Sequence, residues 1–171
     1  MRIATTSLAL AFILSPVMAQ QADGPSDAKA QKTYKNALDE LHDRRPTIAL
    51  DDFKKADKQD GGHCLACQKQ MIKYGVELGE WKTAELAVEE MITEAQGEKQ
   101  IALAHYQAGL IFINEGTQRH KEEYFARAHD EAGKALAAHA NFPDAVMLDG
   151  RALAQLNKTT QPKLASSNSS K

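Results

Sequence analysis

The chain has 171 residues, 43% of them hydrophobic, enough to build the core of one domain. Aromatic residues are only 6% and alanine is abundant, so thin, closely packed helices are expected rather than a sheet sandwich. The formal net charge of −2 gives no global field for nucleic acid or an anionic membrane, and neither is expected as a partner.

The opening stretch, MRIATTSLALAFILSPVMAQ, has the layout of a secretory signal peptide over residues 1–19. Arg2 precedes an apolar run from Leu8 to Leu14, and small residues stand at Val17 and Ala19. The run is too short to span a bilayer, and no later segment is long and apolar enough to do so. Cleavage after Ala19 leaves Gln20 first. A lipid anchor would need a cysteine there, so the expected product is soluble and periplasmic or secreted. Residues 20–29, rich in polar residues with a Gly-Pro step, read as a flexible lead-in.

From residue 30 to residue 157 the pattern is helical. Tyr34, Leu38 and Leu41 recur at helical spacing, as do Ile48, Phe53 and Ala56 after Pro46. Met71, Val76, Leu78, Leu86, Val88, Met91 and Ile92 continue it, broken at Gly79, and IALAHYQAGLIFINEG is a further apolar helix expected to stop at Gly116. No stretch alternates with period two, so an all-α fold is expected. Residues 158–171, KTTQPKLASSNSSK, read as a disordered tail.

The helical segments repeat. His105-x2-Ala108-Gly109-x2-Phe112 and Val146-x2-Asp149-Gly150-x2-Leu153 share a small residue followed by a large apolar one. Seven residues after Ala37, Ile72, Gly109 and Gly150 come Arg44, Gly79, Gly116 and Asn157, where left-handed helix caps are expected. Ala49 and Ala84 are each followed four residues later by Phe53 and Val88. On these residues the chain resembles the tetratricopeptide repeat family, whose period is about 34 residues. The resemblance implies a solenoid of α-helical hairpins, about three and a half repeats long. Small residues such as Gly109 and Ala84 would let paired helices approach, and Phe112 and Phe53 would fill the gap to the next pair. The third repeat departs from the pattern with extra residues in TQRHKEEYF, and Gly75 stands where an aromatic is expected. More narrowly, the region looks like the repeats of exported bacterial proteins in which a thioredoxin-like domain can follow. No such domain is expected here.

Both cysteines lie in GGHCLACQ. Haem attachment needs a histidine after the second cysteine, and Gln68 stands there. A structural zinc site needs four ligands, and no second pair of suitable spacing exists, so neither cofactor nor metal is expected. The pair falls at a helix start, where residues three apart suit a disulfide, and exported chains meet oxidising conditions. Cys64 and Cys67 are therefore read as a short disulfide staple, with a redox-active dithiol as the alternative. The paired carboxylates Asp51-Asp52, Glu89-Glu90 and Glu122-Glu123 read as solvated faces, and Trp81 as core. No nucleophile motif or phosphate loop is present, and no enzymatic activity is expected.

The resemblance implies a function as well: a protein–protein interaction module with a groove for an extended peptide or partner segment. By repeat register the inward positions include Lys69, Lys73, Tyr106, Asn114 and Arg151, and the three cations suit an acidic segment. The alternative function is a thiol–disulfide redox partner using Cys64 and Cys67.

Overall fold

A computed structural model describes residues 24–167, with side chains described as far as Lys158. The expected signal peptide, and residues 20–23 of the lead-in, lie outside the described residues. Seven helices follow one another: α1 (Ala28–His42), α2 (Pro46–Gln59), α3 (Leu65–Leu78), α4 (Trp81–Glu94), α5 (Glu98–Arg119), α6 (Glu122–Ala138) and α7 (Pro143–Ser167). There is no strand among the described residues, and the fold is all-α.

Local chemistry sets the boundaries. The Asp27 carboxylate caps α1 by accepting the N–H groups of Lys29 and Ala30, both at 2.9 Å. Asp60, just past α2, ties the lead-in down: it accepts the N–H groups of Ser26 and Asp27 at 2.8 Å and the Ser26 hydroxyl at 2.9 Å. Pro46 opens α2 and Pro143 opens α7, where a missing N–H costs nothing. Gly79 ends α3 in the left-handed region at φ 74°, and Arg44 takes the same region after α1 at φ 60°.

Each helix packs on the next, giving the hairpins α1–α2, α3–α4 and α5–α6 and the half-hairpin α7. The odd-numbered helices α3 and α5 also touch, as do α5 and α7. Small residues stand at the crossings. A Cβ on Gly75 would lie 3.0 Å from that of Ala84, and one on Gly109 would lie 3.3 Å from the Ala128 carbonyl oxygen. Ala37 and Ala49 meet the same need in the first hairpin, both fully buried. Phe53, also fully buried, carries the core across the first two hairpins, with ring centroids 5.4 Å from Tyr34 and 6.5 Å from Tyr74. Burying such a ring contributes about 1.5–3 kcal/mol. Trp81 is buried in the same core.

Two boundaries differ from the sequence reading. Gly116 does not end a helix; it lies inside α5, and a Cβ there would come within 2.8 Å of the Phe125 ring. The left-handed cap falls instead on His120, at φ 56°. At the other end, α7 runs on through Asn157 to Ser167, into the stretch read as a disordered tail. No glycine occurs after Gly150 to end it in the way Gly79 ends α3.

Candidate functional site

The turn between α2 and α3 carries the cysteines. Gly61 and Gly62 both take left-handed backbone, at φ 77° and 82°, which a side chain would resist. That tight reversal brings Cys64 back over the last turn of α2, where its N–H donates to the Asp57 carboxylate at 3.2 Å. Cys64 is the N-cap of α3, and its sulfur accepts the N–H of Cys67 at 3.1 Å. The two sulfurs are joined as a disulfide, with the Cα atoms 5.2 Å apart. Both cysteines are 0% exposed and pack with Ala56, Tyr34 and Ala66.

An acidic cluster adjoins the disulfide. Asp57 lies on the apolar stripe of α2, four residues after Phe53 and seven after Leu50, and is only 4% exposed. Burial pushes its carboxyl above the ordinary range, against the opposing pull of the Cys64 N–H and a hydrogen bond with Glu90. Glu90, half-buried on α4, is pushed up to about 7, first by burial and then by the Asp57 charge and hydrogen bond. Glu94, one turn further on, bonds the His63 imidazole and raises its pKa. A cleft of about 280 Å³ borders this cluster, lined by Gly61, Gly62, Leu86, Glu89, Glu90, Thr93 and Glu94. Sequence reasoning placed Glu90 on a solvated face; the fold turns it toward Asp57 instead. The available signal was Asp57 itself, a carboxylate in register with the buried positions of α2.

The five residues read as inward-facing sit on α3, α5 and α7, the helices that pack side by side. Lys69 and Lys73 are exposed one turn apart on α3, and the Lys73 ammonium lies 4.9 Å from the Tyr74 ring centroid. Tyr106 is half-buried on α5, its ring 5.2 Å from that of Phe142. Asn114 is exposed, and its amide donates to the Leu110 carbonyl of its own helix at 2.7 Å. Arg151 is exposed on α7. Helical spacing puts Leu103, Tyr106, Leu110 and Asn114 in one sector of α5, and Met147 beside Arg151 on α7. Leu103 is 40% exposed and Met147 65%, so the cations have apolar neighbours that register alone did not single out.

A further crevice of about 260 Å³ lies over α5 between α4 and α6, with Phe112 and Val88 among its lining residues. Arg127 closes over it, 3.7 Å from the Phe112 ring and paired with Glu85 at 3.3 Å. No family model, curated protein or solved structure matches the chain.

Proposed function

We propose that the chain is an exported interaction module of tetratricopeptide type, whose α3–α5–α7 face holds an extended partner segment carrying acidic and apolar side chains. The observation that carries this reading is the composition of that face. Lys69 and Lys73 on α3, Leu103 on α5, and Met147 and Arg151 on α7 are all exposed, on three helices packed side by side. Stacked hairpins present such a face as one extended surface. Cations there favour carboxylates, and the apolar residues supply area that gains free energy only when covered.

Thiol–disulfide exchange fits the same structure less well. A thiolate must reach a sulfur to exchange with it, and both cysteines are 0% exposed. Their burial supports the reading of a staple that fixes the start of α3.

The test is selection of peptides from a displayed random library on the purified mature chain. The expected binders carry Asp or Glu beside a large apolar residue. A Lys73→Glu/Arg151→Glu variant should weaken them by about tenfold or more, about 1.4 kcal/mol, with unfolding unchanged. Failure to select any binder, or binders indifferent to the two reversals, would refute the reading.

A further inference from the structure

We propose that Asp57, Cys64 and Cys67 form, while the cysteines are thiols, a binding site for one thiophilic divalent cation of the zinc class, exclusive with the disulfide. The two sulfurs and a carboxylate oxygen all lie within 4.8 Å of one another. Two thiolates and one carboxylate are a donor set that such ions accept, with a fourth position left for another oxygen. Asp57 is 4% exposed and both cysteines 0%, so the ligands are already gathered away from water. Cysteine spacing alone hides the site, because the third ligand comes from α2 through the Gly61–Gly62 reversal.

The backbone around the ligands is arranged as a metal site needs it. The Cys67 N–H donates to the Cys64 sulfur at 3.1 Å, at the start of a 14-residue helix, which favours the thiolate. The Cys64 N–H holds the Asp57 carboxylate in place at 3.2 Å. Gln68, next to Cys67 and 0% exposed, ties its amide nitrogen to the Gly62 carbonyl at 2.8 Å and leaves its buried Oε1 without a partner. The neighbouring cleft is lined by Glu89, Glu90 and Glu94 with no Lys or Arg, and Glu90 is hydrogen-bonded to Asp57.

Two outcomes then compete for the newly made dithiol. Metal binding releases the two thiol protons to solvent and leaves the sulfurs as thiolate ligands. Disulfide closure instead passes two electrons and two protons to an oxidant of the disulfide class, joining the sulfurs and removing the two thiolate ligands.

The experiment titrates the full mature chain, reduced and oxidised, with Cd2+ in the absence of air. The reduced chain should develop a sulfur-to-metal charge-transfer band that saturates at one equivalent, and its Tm should rise with the metal. The oxidised chain should do neither. Cys64→Ser and Cys67→Ser should each lose the band, and Asp57→Asn should weaken binding at least tenfold. Absence of the band in the reduced wild type, or equal affinity in Asp57→Asn, would overturn the proposal. Should Asp57→Asn fail to fold by circular dichroism, the Tm of the reduced wild type decides: a rise with Cd2+ supports the site, and no rise rejects it.

Discussion

Leu148 of α7 lies against Gly109 of α5 so closely that a Cβ on the glycine would sit 2.6 Å from its Cδ2. Gly150 holds the corresponding repeat position on α7, yet a Cβ there would meet nothing within 4 Å. Among the described residues no helix pairs with α7 as α6 pairs with α5, and the difference follows from that. Opposite mutational signs are therefore expected at two glycines of one register. Gly109→Leu should destabilise by about 3 kcal/mol, at the top of the overpacking range, because the rigid Ala128 backbone also blocks it. Gly150→Ala should stabilise by about 0.5–1 kcal/mol, since alanine loses less backbone entropy in a helix. Urea unfolding of both variants checks this; a shift of the same sign in both would mean that the half-hairpin face is covered.

These glycines also mark how far the sequence could be read. The hairpins were legible because Phe53, Ala84, Gly109 and Phe112 fall at the spacings expected of repeated helical hairpins. Gly79 was legible as a cap, because the apolar pattern breaks there. Gly116 was not, since a glycine can serve a left-handed cap or a close contact, and only the position of Phe125 separates the two. The cysteine pair announced itself, but its surroundings did not. Asp57, Glu90 and His63 come from three places in the chain, and nothing in their spacing says that the Gly61–Gly62 reversal gathers them. The exposed Leu103 and Met147 read as ordinary helix residues until the uncovered side of α5 and α7 is known.

The acidic cluster sets a pH dependence whose sign can be worked out. Glu90 has its folded pKa raised to about 7, so over the range below that value the folded state binds more protons than the unfolded one. Stability then falls as pH rises from the ordinary carboxylate range through about 7. Asp57 is shifted the same way. His63, raised by Glu94, adds stability that is present at low pH and is also lost on the way up. The Tm should accordingly be lower at about pH 8 than at about pH 5. Glu90→Gln keeps a donor for Asp57 and removes the titrating group, so it should flatten that slope. An unchanged slope in the variant would place the titration elsewhere.

Asp60 works in the opposite sense. Burial alone would raise it, but the N–H groups of Asp27 and Ser26 and the Ser26 hydroxyl outweigh that and hold its pKa below the ordinary value. Its stabilisation is present above the unfolded carboxylate pKa and lost as pH falls through the folded one. Asp60→Ala should release Ser26 and Asp27 from the end of α2 and cost about 1.5 kcal/mol, the low end for bonds to a charged acceptor because the site is exposed. Hydrogen exchange at the Ser26 and Asp27 amides reads this directly. Protection as slow as in the wild type would mean that Asp60 does not anchor the start of α1.

The disulfide should contribute modestly despite its burial. It closes a loop of only a few residues, so its effect on the unfolded chain is about 2 kcal/mol in the chain-entropy account. Its other role is local: the Cys64 sulfur accepts the Cys67 N–H and so caps α3. The two roles separate in a pair of double variants. Cys64→Ser/Cys67→Ala loses the cross-link but keeps a hydroxyl acceptor at the N-cap. Cys64→Ala/Cys67→Ala loses both, and should be less stable than the first by about 1 kcal/mol, the usual worth of an N-cap. Both should retain wild-type helix content, because Phe53, Ala84 and Val88 hold the hairpins without help from the sulfurs. Equal stability in the two variants would show that the sulfur contributes through the cross-link alone, and loss of helical signal in both would show that the second hairpin cannot pack without it.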